Sequence, residues 1–191
     1  MNIKIIIVLS ILFPMLAKSQ NNPIKKILKD HPEFFKEVLA DNQQKEIQII
    51  YSQINRDKNN IAKFKSFSFN ADKIHYFYPA STIKLPTAIF ALEKLNELNI
   101  QNLNLNTHLK IGKDFGKQTI VEEDTSSSDG LPSIANYIKK TLLVSDNDAY
   151  NRLYEFVGRK EINEKLKRHG FNNSRIISRL SVGDSGENAR Y

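Results

Sequence analysis

From Ile83 to Leu98 the apolar residues Ile83, Leu85, Ile89, Phe90, Leu92, Leu95 and Leu98 recur at helical spacing and fill most of a cylinder. That is the pattern of a buried helix, one that the rest of the chain has to cover. Counted from Ala80, where the helical period begins, Pro86 falls in the second turn and removes one hydrogen bond, a loss that many apolar contacts can offset.

Before this helix the period is two. Ile47, Ile49 and Tyr51 alternate with polar residues, Phe67 and Phe69 do the same, and "DKNN" lies between them, which predicts an antiparallel hairpin. Upstream, Ile24, Ile27, Leu28, Phe34, Phe35, Val38 and Leu39 predict one helix, or two broken near Pro32, able to cover one face of that hairpin. Beyond the buried helix, residues 99–133 are polar, with "EEDTSSSDGLPS" the clearest loop. Helical patterns resume over 134–142 and in two further stretches that stop at Gly158 and Gly170.

Lys4, an apolar run from Ile5 to Leu16 broken by Pro14, and Ala17-Lys18-Ser19 read as a cleavable secretory signal over residues 1–19. The run falls short of the roughly twenty residues that span a bilayer, so no stable membrane anchor is expected and the mature protein is expected to be periplasmic or secreted. The chain has no cysteine, which excludes a disulfide framework, a thiolate zinc site and a lipid-modified cysteine. Its net charge of +7 comes from lysines scattered among asparagines rather than grouped in one block, and export argues against a nucleic-acid partner. His31, His75, His108 and His169 lie far apart, with no metal-ligand spacing. A monomer with no metal and no cofactor is expected.

Chemistry enters with "STIK". Ser81 and Lys84 lie three apart, so on a helix they share a face. Lys84, between Ile83 and Leu85, sits where burial would depress its pKa enough for it to act as a base toward the serine hydroxyl. A chain this rich in serine and lysine produces such a pair by chance, and a serine here can equally cap the helix. Downstream, Ser145, Asp146 and Asn147 form a Ser-Asp-Asn tripeptide after an apolar run, at a loop-to-helix junction where all three residue types also favour capping.

"STIK" opening one helix, "SDN" entering another, and "VGRKEINEKLKRHGF" after it together resemble the class A β-lactamase-like family of penicilloyl-serine hydrolases, over roughly residues 45–188. The resemblance implies an α+β fold, with a helical domain beside an antiparallel sheet domain. Residues 20–79 would hold a helix and hairpin of the sheet domain, and 80–191 the helical domain and the start of an omega-type loop. It implies that Ser81 is the acylated nucleophile, Lys84 its base or relay, and Ser145 the donor to the departing nitrogen. Asn147 would bind the substrate amide, and Asp146 would brace the loop. The Ser81 N–H would form half of an oxyanion hole. Aligned on Arg179-Leu180, Asp184 takes the place of the family's water-activating glutamate and Asn188 that of its asparagine, with Glu187 as an off-register alternative and an ordinary loop as the third possibility.

The implied substrate is a β-lactam or a peptidoglycan-like amide. A carboxypeptidase or amidase on the same fold, and a catalytically idle protein that binds cell-wall fragments, are the alternatives. No Lys-Thr-Gly or Lys-Ser-Gly occurs, and a two-stranded hairpin is marginal without further strands. The chain is therefore expected to be C-terminally incomplete and inactive at this length.

Overall fold

A computed structural model describes residues 22–40, 47–71, 76–113 and 119–182. The chain divides into two compact units, Met1–His75 and Tyr76–Tyr191.

In the first unit α1 (Pro23–Asp30) and α2 (Pro32–Ala40) precede the antiparallel strands β1 (Ile49–Arg56) and β2 (Ala62–Phe69). The break between the helices falls at His31, because Pro32 has no N–H to continue α1 yet suits the first position of α2. Asn22 caps α1 by accepting from the Ile24 N–H at 3.0 Å, and its own amide donates to the Ser68 carbonyl at 2.7 Å. One side chain thus ends the helix and ties it to β2. Ile24 and Leu28 are buried. Across the hairpin Tyr51 faces Phe67, their rings stacked with centroids 6.1 Å apart. The turn closes on Asp57, whose side chain accepts from the N–H groups of Asn59 and Ile61, with Asn60 in the left-handed region.

In the second unit a 3-10 turn, Ala80–Ile83, leads into α3 (Lys84–Leu98), followed by α4 (Ile134–Leu143), α5 (Asn147–Val157) and α6 (Arg159–Arg168). The change from 3-10 to α geometry puts Pro86 in the first turn of α3, where an N–H would have no partner inside the helix. It therefore costs less than a second-turn proline. Ser133 caps α4, accepting from the Asn136 N–H at 3.1 Å. Gly158, at φ 90°, ends α5 and starts α6, a backbone turn that a residue with a Cβ resists.

The core joins Ala88, Phe90 and Ala91 of α3 to Tyr137 of α4, to Ala149, Tyr150, Leu153, Tyr154 and Val157 of α5, and to Ile162 and Leu166 of α6. The central helix is α5, buried at every position from Ala149 to Tyr154. This corrects the expectation for α3, whose buried residues are Lys84, Thr87, Ala88, Phe90 and Ala91 while Leu85 and Ile89 stay 55% and 44% exposed. The reason is size. Small residues on α3 allow close approach, and the tyrosines of α5 fill the space that α3's leucines were expected to fill. Among the described residues the protein has six α-helices and one two-stranded antiparallel sheet, an α+β fold. No described helix is long and apolar enough to cross a membrane.

Candidate active site

Ser81 lies within the 3-10 turn, directly after Ala80, which is held at φ 46°. Left-handed backbone at an alanine is costly and persists only where surrounding contacts impose it. The turn is closed by Thr82, whose N–H and hydroxyl both donate to the Pro79 carbonyl, at 3.0 and 2.6 Å. Ser81 caps nothing. The N-cap positions are Pro79 for the turn and Ile83 for α3, and neither makes a side-chain cap bond. The capping alternative for Ser81 therefore fails, because the 3-10 turn moves the start of the α-helix three residues past it. Its side chain is exposed.

Lys84, the first residue of α3, is 3% exposed. Its Nζ donates to the Ser145 carbonyl oxygen, to Ser145 Oγ at 2.9 Å and to Asn147 Oδ1 at 2.7 Å. Burial pushes the amine below the ordinary lysine value, and the nearby Asp146 charge partly opposes this. No carboxylate among the described residues is hydrogen-bonded to it.

Ser145 is at φ 56°, the second strained non-glycine position at the site. Asp146 is the N-cap of α5: Oδ1 accepts from the Ala149 N–H at 2.8 Å, and the Asp146 N–H donates to the Lys140 carbonyl at 3.2 Å. Of the Ser-Asp-Asn tripeptide only the aspartate caps, which leaves Ser145 and Asn147 for Lys84. The geometry thus brings Lys84, Ser145 and Asn147 into direct contact.

Asn147 also donates from Nδ2 to Ser181 Oγ at 2.9 Å. Ser181, at φ 54°, was missed in the sequence. It belongs to a strap, residues 176–181, fastened along its length. Ile176 exchanges backbone bonds with the Asn163 amide, and the Tyr150 hydroxyl donates to the Ser178 carbonyl at 3.1 Å. Arg179 Nη1 meets Glu155 Oε1 at 2.7 Å, and the Asn151 amide takes both the N–H and the carbonyl of Leu180 at 2.8 Å. The signal that could have found Ser181 is its place directly after Arg179-Leu180, since a strap held that tightly carries its next residue to a fixed spot. Asp184, Glu187 and Asn188 lie outside the described residues.

Of the histidines, His31 pairs with Glu33 at 3.1 Å, His108 with Asp129 at 3.0 Å and His169 with Glu93 at 2.7 Å, while His75 lies outside the described residues. Among the described residues no group of three or more His, Asp or Glu side chains is arranged to hold a metal ion.

No curated protein matches the chain. A family model described as the beta-lactamase enzyme family matches residues 32–190, with the Ser81, Lys84 and Ser145–Asn147 cluster inside the matched span, and the chain belongs to that family.

Proposed function

We propose that the protein is an exported serine hydrolase that forms an acyl-enzyme on Ser81 and acts on β-lactams. The observation that carries the reading is the bonding of Lys84: a buried amine, three residues from an exposed serine, held among the described residues by neutral acceptors. Membership of the beta-lactamase enzyme family supports the same reading.

The Ser145 carbonyl and Asn147 Oδ1 can only accept, so they occupy two N–H groups of the lysine whatever its charge. Ser145 Oγ can accept from an ammonium or donate to a neutral amine. Lys84 can therefore lose or gain a proton while only the Ser145 O–H turns, with no heavy atom moving. As the Ser81 oxygen attacks the lactam carbonyl, its proton passes to Lys84, directly or through Ser145. The C–N bond of the tetrahedral adduct then breaks as Ser145 gives a proton to the departing nitrogen and is resupplied by Lys84. Water cleaves the resulting ester and regenerates Ser81.

Intact-mass spectrometry of the full-length protein with benzylpenicillin tests this. One adduct of the penicillin's mass on Ser81 is expected, followed by its loss as the hydrolysed product appears. The absence of any adduct and of any hydrolysis would sink the reading. A second reading, a penicillin-binding carboxypeptidase that releases the adduct slowly, is favoured by one observation. The strap residue bonded to Asn147 is a hydroxyl, Ser181, rather than an acid. A lasting adduct supports that reading, and rapid turnover supports the lactamase. Export rests on the signal-like residues 1–19, and the amino terminus of the mature protein is expected at Gln20. Sequencing that terminus from the culture or periplasmic fraction checks it.

A further inference from the structure

Asn147 has an amide that could turn about its last bond, which would exchange Oδ1 and Nδ2. In one orientation Lys84 meets a carbonyl oxygen and in the other an N–H, so the choice decides whether Lys84 is helped or hindered in carrying its charge. The structure has Oδ1 accepting from Lys84 at 2.7 Å and Nδ2 donating at 2.9 Å, and the acceptor that receives this second bond is Ser181 Oγ. Ser181 is exposed and sits at φ 54°, a conformation serine adopts at a cost. The strap imposes it. Asn147, Asn151 and Glu155 follow one another at i, i+4 and i+8 on a single stripe of α5, and they hold Ser181, Leu180 and Arg179 in turn. The ammonium of Lys84 only donates, so it sets which amide atom faces it; the Ser181 hydroxyl, which could serve either orientation, adds a second anchor that keeps the Asn147 side chain in place against Lys84.

We propose that Ser181 is a positioning residue of the site, acting through Asn147 to fix the acceptor that Lys84 meets and thereby setting the proton affinity of Lys84. The proposal deepens the reading of Lys84 as the base. Of the charged groups on the elements packed around Lys84, Asp146 acts on it and favours the ammonium, while Ser145, Asn147 and Ser181 are neutral.

The test is a titration of Lys84 in the full-length protein labelled with carbon-13 lysine, its resonance assigned by comparison with Lys84→Met. Ser181→Ala and Ser181→Gly remove the hydroxyl, and the glycine also relieves the strained backbone. Both are expected to lower the Lys84 midpoint by about one pH unit, because an Asn147 side chain released from the strap no longer holds its oxygen against the ammonium. Ser181→Asn restores an acceptor in a residue type that suits the left-handed region, and its midpoint is expected to return to within a few tenths of the wild type. A wild-type midpoint in the alanine or glycine variant overturns the proposal, as does an asparagine variant displaced as far as alanine. Ser181 is exposed, so these variants are expected to melt as the wild type does. The titration needs no substrate. If penicillin forms no adduct, the functional reading fails while the Ser181 proposal is still judged by the midpoints.

Discussion

Among the described residues of the second unit two lysines are buried, and they are buried differently. Lys84 is 3% exposed and is bonded to a carbonyl, a hydroxyl and an amide oxygen. Lys165 of α6 is fully buried and has Glu97 at 2.7 Å, Glu93 at 3.2 Å and Glu161 at 3.8 Å. Burial draws the Glu93 carboxyl upward, but hydrogen bonds from Lys165 and His169 outweigh that and hold it below its ordinary value, as an anion. Each lysine had to be satisfied to be buried at all. Surrounded by carboxylates, Lys165 joins α3 to α6 through ion pairs. Surrounded by neutral acceptors, Lys84 has its pKa lowered and can change charge while keeping its contacts. Among the described residues Lys84 has no counter-ion in hydrogen-bonding range, which is why the proposed chemistry is placed on it.

The largest effect that could break this comparison is on reactivity. Lys84→Ala is expected to slow acylation of Ser81 by about a thousandfold, within the usual range for loss of a general base. On the barrier that is about 4 kcal/mol. Stopped-flow labelling with a fluorescent penicillin measures it. Lys165→Met is expected to leave the labelling rate of the folded protein within about twofold. Equal losses in the two variants would show that the distinction between neutral and anionic partners has no bearing on catalysis.

Stability should respond in the opposite sense. Lys165→Met removes the buried cation shared by Glu93, Glu97 and Glu161 and leaves them their more exposed partners His169, Arg168 and Lys94. Breaking a buried pair from one side typically costs 3–5 kcal/mol, and because the three carboxylates keep partial access to water the expected loss is about 3 kcal/mol. Urea denaturation measures it. A loss below about 1 kcal/mol would mean that the cluster behaves as a surface ion pair.

The sequence distinguished these two lysines only in part. Lys84 stood out because "STIK" opens an apolar helix and "SDN" follows far downstream, a local pattern whose two halves the fold joins. Lys165 lies in "KEINEKLKRHGF", a segment dominated by charged residues, and two of its three carboxylates come from α3. Hydropathy along the chain carries no record of that pairing. The hairpin, the helices and both glycine stops were legible because each depends on neighbouring residues. The exposure of Leu85 and Ile89 was not, since it depends on how closely α5 approaches the small residues of α3. Ser181 is not legible in its own loop, because its placement comes from Asn147, Asn151 and Glu155 on α5.

The strap offers a smaller test. Asn151 is 5% exposed, and its amide satisfies both backbone groups of Leu180. Asn151→Ala removes two hydrogen bonds at about 1 kcal/mol each, so a loss of about 2 kcal/mol is expected. If the strap positions Ser181, the same variant should also lower the Lys84 midpoint. Lost stability with an unmoved midpoint would separate the strap's mechanical role from any role at the site.

Proton linkage gives the smallest effect. The pKa of Lys84 in the folded protein is lowered from 10.5, mainly by burial. Below the folded value both states carry the proton, and the cost of the buried charge is fully present and constant. Between the folded value and about 10.5 the unfolded chain binds the proton more tightly, so stability rises with pH across that window. Above it both states are neutral and the cost is gone. Lys84→Met never carries the charge, so subtracting its stability from that of the wild type cancels most other titrating groups. The difference is expected to rise by on the order of 1 kcal/mol between neutral pH and pH 10.5, as followed by urea denaturation at half-unit steps. A difference that falls with pH would mean that Lys84 gains more from its acceptors as a cation than it loses by burial, which would place it with Lys165 rather than opposite it.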